Sequence, residues 1–556
     1  MTIQSLFDKG LALGPPPDKL TEGYMVRNRG IHALSRGSFR SRPGSALLHA
    51  LNAHSIEYFN DVYHYGVGTS LYRAAAAIKT GLSGDRIAFA KMPPTAGIVD
   101  YLFCAEGSDL FKVDSAGNVT DWGFAAPASD PTGAAVAGGA LPAGTYKYQI
   151  TYYNSTTGHR SNGNGTDVSV TTAAANLTAR LSAIPDPSAV DAQISHVEIW
   201  RSVLDGDALF YLAAIAAGTT TYDDDGSVTL SSVQLPTDNL QPYATFFDCL
   251  GPHNAAMFWL RNYAGTRGRV YYSPIGRAES VSGFINVCAN DTPLQKLFRF
   301  QGQLGVIGEA GIYLIGGEDP YVAREVPGCP GTNRPHTVAV IPTMGLIYEA
   351  QDGIRIFNGS MSELVSPGSV ERIFRGESVG DLTSFAGTVA AFCRNEYIIS
   401  DTAQSLAWDI TDKRWRDLGV GMNAVYHNDE NDAIAASIDG SVLSFEQEGQ
   451  LTDNGTAISL SLEPPALSFN DNKKRILQHL TLDINTGGSS ITATLTHDGS
   501  TTSLGTFNEA TRIKRTLAIG IAAQVFNLHL TGDLTTAFEL HNIIWTFDDP
   551  NAVGEQ

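Results

Sequence analysis

The string Gly376-Glu377-Ser378-Val379-Gly380 has the spacing of a nucleophile elbow, which presents a serine hydroxyl on a sharp strand-to-helix turn. Its surroundings oppose that chemistry. A charged stretch precedes it, and Asp381-Leu382-Thr383-Ser384 follows without helical periodicity, so a loop is expected. Asp223-Asp224-Asp225 gathers oxygens of the kind that hold calcium but lacks the spaced ligands of a calcium loop. An acidic turn closing a strand is expected instead. Trp259, Tyr263, Tyr271 and Tyr272 interleave with Arg261, Arg267 and Arg269, a pattern that can stack nucleic-acid bases. The chain's net charge of −20 opposes that use, and packing between sheets is the expectation. Lys473-Lys474-Arg475, after Asn470-Asp471-Asn472, reads as a solvated strand entry, with an acidic partner as the sharper alternative.

The 13 histidines are scattered, with His479 and His529 inside strand-like runs. The five cysteines (Cys104, Cys249, Cys288, Cys329, Cys393) form no C-x-x-C pair, so buried free thiols made in a reducing cytoplasm are expected. There is no H-E-x-x-H, P-loop or dinucleotide fingerprint. No catalytic, cofactor-binding or metal-binding residue is therefore expected, and no cofactor. Paired carboxylates at the centre of a propeller can hydrolyse sugars. Such pairs leave no trace in sequence, so a glycan-cleaving enzyme stays open as an alternative.

Something must position these residues, and the composition says what. Charged residues are only 17% of 556, glycine is frequent at 56, and short apolar runs alternate with Ser-, Thr- and Asn-rich stretches. That is a chain of short strands joined by many turns. Residues 1–45 carry seven basic and three acidic side chains, a balance of +4, which leaves −24 for the remainder. The basic start reads as an arm for an acidic partner, with Arg36, Arg40 and Arg42 as the candidate assembly contacts, or equally as a strand with solvated arginines. The acidic charge reads first as solubility and, more sharply, as a surface that must not hold DNA, because each Lys–phosphate contact adds affinity. Met1–Ser5 lacks a basic leader start, and no run of 18 apolar residues occurs, so neither a signal peptide nor a membrane span is expected.

A short element recurs, an acidic or glycine turn followed by alternating apolar residues ending in an aromatic. Its terminal aromatics are Tyr72, Phe111, Tyr272, Tyr313, Phe357, Trp408 and Phe445. Most steps between them run from 37 to 51 residues, the length of a four-stranded propeller blade. Six to eight blades fit. Two evenly spaced β-sandwiches or a β-solenoid are the alternatives.

One step, Phe111 to Tyr272, spans 161 residues. Removing one blade leaves about 119 residues, the size of an immunoglobulin-like domain. Residues 125–144 read as an Ala/Gly/Pro-rich linker, and Tyr146, Tyr148, Ile150 and Tyr152 then alternate as a half-buried strand does. The fold class expected is all-β: a β-propeller with an inserted fibronectin III/Ig-like sandwich and a C-terminal β-sandwich. The expected domains are an N-terminal arm (1–45), a first propeller segment (46–125), the inserted domain (126–240), a second propeller segment (241–450), the C-terminal β-sandwich (457–548) and a tail (549–556).

The N-terminal segment reads Leu11-Ala12-Leu13-Gly14, Pro15-Pro16-Pro17-Asp18, Leu20, Gly23-Tyr24, Val26-Arg27-Asn28, then Gly37, Phe39 and Arg42-Pro43-Gly44. It resembles the opening of propeller proteins in short-tailed bacteriophages, the tail nozzle (tail tubular protein B) and packaged-DNA-stabilising groups. Val26-Arg27-Asn28 stands where Asn-Val order is usual. The resemblance covers about 450 residues: the arm, the propeller and the insertion. It implies a structural virion protein of the viral tail, assembled in the host bacterial cytoplasm. That protein would form a homo-oligomeric, hexameric ring below the portal and adaptor. Genomic DNA would pass through the ring's lumen without sequence-specific binding, and tail fibres or spikes would anchor outside. A receptor-binding adhesin is the alternative within the virion.

Overall fold

The computed structural model describes residues 1–5, 9–13, 19–20, 24–34, 38–95, 99–318, 320–365, 370–469 and 473–548. Arg36, Gly37, residues 14–18 and 21–23 of the N-terminal motif, residues 470–472 and the tail 549–556 lie outside them. The chain divides into two compact units, one of residues 59–62 and 69–325, the other of 1–58, 63–68 and 326–556.

Among the described residues, the chain holds seven four-stranded antiparallel meanders, the repeating sheet of a propeller. Six of them run over residues 55–80, 88–121, 246–286, 294–325, 339–364 and 389–417. The seventh takes three strands from 424–445 and its outermost strand, Ala46–His49, from the other end of the chain. Each recurring aromatic of the sequence sits on the third strand of one meander, from Tyr72 on Ser70–Arg73 to Phe445 on Ser441–Phe445. In several meanders the turn into that strand carries a left-handed residue, such as Gly107 at φ 86° or Asp439 and Gly440 at 46° and 80°.

A four-stranded sheet of this length has two apolar faces, so it must be covered by its neighbours. In the unit 69–325, Phe103, Trp122, Phe246, Trp259 and Tyr271 fill the space between the second and third sheets. Leu260, Val270, Leu304 and Tyr313 fill that between the third and fourth. The first strands of these sheets, Ala88–Met92, Phe246–His253 and Leu294–Phe300, lie side by side, so the propeller continues across the insertion. In the other unit, Ala339–Ile341, Val389–Cys393 and Ala424–Asn428 repeat the arrangement.

The insertion is a two-sheet sandwich. Thr132–Val136, Thr178–Ser182 and Tyr222–Asp224 form one sheet, and Val168–Thr172, Gly144–Tyr153, His196–Ser202 and Leu209–Ala216 the other. Tyr146, Tyr148, Ile150 and Tyr152 point into its core as their alternation demands. Its seat on the propeller is a buried polar knot. Lys112 pairs with Glu279 at 2.6 Å, their side chains 1% and 0% exposed, and donates to Gln193 Oε1 of the insertion at 2.6 Å. His159 of the insertion packs edge-on against Phe124 at 4.5 Å.

The N-terminal segment is not a free arm. Thr2–Gln4 pairs with the last strand, Glu539–Phe547, and Arg27–Arg29 pairs with Ile458–Glu463. Ile31–Leu34 and Ser38–Ser41 extend the same sheet as Glu539–Phe547. The C-terminal sandwich is therefore built from both chain ends, around Ile31, Phe39, Leu480, Leu528 and Trp545. The physical reason is hydrogen-bond satisfaction: strands with one apolar face were available at both ends, and each left ladder groups the other could pair.

Candidate assembly surface

Of the three arginines expected to contact a partner, Arg36 lies outside the described residues. Arg40 is exposed on Ser38–Ser41, opposite Glu539 in register. Arg42 is a correction. It is 2% exposed and ion-paired with Asp453, and its Nε donates to Leu418 O at 2.9 Å. A guanidinium enclosed in this way serves its own chain and offers nothing to an adaptor.

The other candidate groups are also accounted for locally. Ser378 follows a short helix, Glu371–Phe374, rather than a strand, and its Oγ accepts from Ser384 N at 3.3 Å. Asp223 pairs with Arg180, and Asp224 accepts from Tyr148 Oη at 2.8 Å and pairs with Arg201. Asp225 accepts from Ser227. Among the described residues, no group of three or more His, Cys, Asp or Glu side chains is arranged to hold a metal. None of the five cysteines is in a disulfide, and four of them are buried. Lys474 reaches Asp498 at 3.6 Å, and Arg475 lies over Phe469. No helix among the described residues is long and apolar enough to cross a membrane.

One arrangement escaped the sequence, because its members are 80 and 68 residues apart. Ser461 Oγ donates to Asp381 at 2.6 Å and lies 2.9 Å from His529 Nε2. It resembles a hydrolytic triad in composition only. The serine proton goes to the carboxylate, Arg27 holds that carboxylate, and Ser461 is 5% exposed. Burial and Arg27 both lower the pKa of His529. The group is a structural tie between the strand Ile458–Glu463 and the loop carrying Asp381.

The basic and aromatic residues of the third sheet divide into two sets. Trp259 and Tyr271 are buried against the second sheet, and Tyr272 packs edge-on to Tyr321 of the fourth at 5.0 Å. The rest form an open clamp. The Arg261 guanidinium lies between Tyr243 and Tyr263, 4.1 Å and 4.4 Å from their ring centres. The Arg269 guanidinium lies 4.2 Å from the ring centre of Phe284. Leu260 pairs with Val270, so Arg261 and Arg269 come next in register on neighbouring strands. Among the described residues neither they nor Arg267 has an ion-pair partner, while more than half of the chain's arginines do. Like charges side by side across strands are unfavourable, and no carboxylate of the described residues offsets this pair. Tyr243 and Phe284 were invisible to a sequence reading because they come from flanking segments.

No family model matches the chain, and no curated protein matches it in sequence. Among solved structures it is similar to the C-terminal WD40 domain of Sif2, at 9% identity over 72% of this chain and 98% of that one, with a TM-score of 0.33. It is similar to the WD40 β-propeller domain of Doa1 at 9% identity over 49% of this chain and 90% of that one, with a TM-score of 0.25. It is also similar to an exo-β-1,3-galactanase from Phanerochaete chrysosporium at 10% identity over 75% of this chain and 100% of that one, with a TM-score of 0.21. The chain is an all-β protein of β-propeller fold, with one sandwich inserted and one at its C-terminal end.

Proposed function

We propose that this chain is a non-enzymatic structural protein of a short-tailed bacteriophage tail, the nozzle. Six copies form a ring below the portal and adaptor. The ring extends the DNA channel, retains the packaged genome, opens for ejection and anchors tail fibres or spikes on its outside. The observation that carries this reading is the resemblance of residues 11–44 to the opening of phage nozzle propellers, continued by the propeller and its insertion.

Physical chemistry supports it in two ways. Blades with short, mutually covered edges make rigid blocks suited to a ring. A net charge of −20, with most arginines already bound to carboxylates of the same chain, leaves few cations to hold passing phosphates. The exposed Arg40 remains a group an acidic adaptor surface could meet.

Electron microscopy of the purified protein, alone and on virion tails, tests the reading. A hollow six-fold ring at the tail tip is expected. A monomer, or a trimer on the outside of the tail, would overturn it in favour of an adhesin.

A further inference from the structure

We propose that the clamp on the third sheet, Arg261 and Arg269 with Tyr243, Tyr263 and Phe284, receives the inserted sandwich of a second copy of this chain. The segment received is the hairpin tip Val203-Leu204-Asp205-Gly206-Asp207.

The clamp fixes the chemistry of what it takes. Arg261 is held flat between two tyrosine rings, and its Nε donates to Thr245 Oγ1 at 2.6 Å. Its two terminal nitrogens are left for a carboxylate, which a planar guanidinium engages with two hydrogen bonds. Arg269 stands beside it, with its Nε buried and without a hydrogen-bond partner. Tyrosine, arginine and phenylalanine side chains that are partly exposed and already ordered are what the centre of a protein interface is made of. Tyr243, Tyr263 and Phe284 are 37%, 53% and 45% exposed. Each arginine already occupies a face of the rings beside it, so a stacked nucleic-acid base finds few free faces here. A protein segment with carboxylates and small apolar side chains fits better.

The inserted sandwich supplies that segment. Residues 126–240 hold eleven acidic and four basic side chains, a balance of −7. All four basic ones are engaged with carboxylates of the sandwich itself. The surplus is therefore acidic, and it is accompanied by exposed apolar groups. Of the seventeen large apolar side chains exposed among the described residues, six lie in the sandwich, at Val190, Val203, Leu204, Val228, Val233 and Leu240. The hairpin joining His196–Ser202 to Leu209–Ala216 combines both features. Val203 and Leu204 are 52% and 41% exposed, and the Asp207 side chain is 92% exposed. Asp207 Oδ1 is engaged by Lys147 and Asp205 Oδ1 accepts from Thr145 N at 2.9 Å, which leaves the second oxygen of each carboxylate open. Asp205, in the left-handed region at φ 54°, and Asp207 flank Gly206 at the turn, and both are exposed. Arg261 and Arg269 are cross-strand neighbours with Cβ atoms about 5 Å apart. The open carboxylate oxygens of this turn can therefore meet the guanidinium groups while Val203 and Leu204 cover the rings.

Clamp and tip are different surfaces, so the contact is heterologous and repeats head to tail; it closes into a ring if the rotation per copy allows. This contact rests on the ring reading above and names its joint.

Sedimentation velocity and native mass spectrometry of the full chain test it, with circular dichroism and thermal melts to establish that each variant folds. The clamp variant is Arg261→Ser with Arg269→Ser, and the tip variant is Val203→Gln with Asp207→Ser. Wild-type protein is expected to assemble. Each variant alone should need a concentration at least about tenfold higher for half-assembly, since a desolvated charge pair is lost. Mixed together, the two variants should form a dimer and stop, because that pair retains one intact clamp and one intact tip. Wild type that stays monomeric at every concentration overturns the contact and the ring together. Variants that assemble as wild type does, or a mixture that stays monomeric while wild type assembles, overturn this contact and leave the ring reading standing on another surface.

Discussion

Arg42 and Asp453 are 411 positions apart in the chain and paired at its closure, with side chains 1% and 8% exposed. Ser45 Oγ donates to the same carboxylate at 2.8 Å, and the guanidinium lies 5.1 Å from the centre of the Phe445 ring. The pair ties the segment entering Ala46–His49 to the loop that leaves the seventh sheet. A basic residue that reads as an outward contact is thus a closing bolt.

Breaking a buried ion pair by removing one partner leaves the other charge without compensation. Arg42→Met should therefore lower stability by roughly 3–5 kcal/mol, read as a shift in the urea midpoint. Arg40→Glu changes an exposed side chain and should stay within about 0.5 kcal/mol. Equal effects from the two substitutions would contradict the assignment of one as structural and the other as surface.

Gly44, the last residue of the Arg-Pro-Gly turn, offers a second test. A Cβ there would meet the backbone of Thr452, with O at 2.2 Å and N at 2.5 Å. Its own N–H donates to Gln450 O at 2.8 Å. Backbone cannot step aside as a side chain can, so Gly44→Ala should cost about 1–3 kcal/mol, the range for overpacking. Thermal denaturation would show it. A melting temperature equal to wild type would mean that the two segments lie further apart.

The third strand of every blade was legible because its signal is local. A left-handed turn such as Gly107, then an inward aromatic such as Phe111, needs no distant partner to be recognised. The insertion was legible as a gap in that rhythm. Chain closure was not. Thr2–Gln4 and Ala46–His49 are three and four residues long, and their partners lie hundreds of positions away. Nothing in strands so short records which edge they join. The clamp was half legible. Its arginines and Tyr263 cluster in sequence, but whether Tyr271 faces the core or solvent depends on the second sheet.

His159 makes a share of stability depend on acid. Burial is the main cause that lowers its pKa from the ordinary 6.5 to about 4, with Lys112, Arg277 and Arg160 adding to the effect and Glu279 opposing it. Above pH 6.5 the ring is neutral whether folded or unfolded, so it costs nothing. As pH falls from 6.5 toward 4, the unfolded chain takes up the proton first and folding loses ground, by about 3 kcal/mol once pH 4 is passed. Urea midpoints at about pH 7 and about pH 5 should separate clearly for wild type and less for His159→Gln. An equal separation in both would place the proton elsewhere.

Glu349 works in the opposite sense. Its side chain, 4% exposed, lies 2.9 Å from Arg334 Nε, and Gly387 N donates to it at 2.8 Å. Burial outweighs both partners and raises its pKa from the ordinary 4.5 to about 7. A raised folded value means that the neutral acid is favoured on folding. That contribution is complete below pH 4.5 and is lost as pH rises through 7, up to about 3 kcal/mol. Glu349→Gln keeps an oxygen for Gly387 and removes the charge, while Arg334, 36% exposed, can turn to water. The variant should therefore gain on wild type as pH rises from about 5 to about 8, with the two sets of urea midpoints diverging across that range. Parallel curves would mean that Arg334 holds the carboxylate ionised throughout.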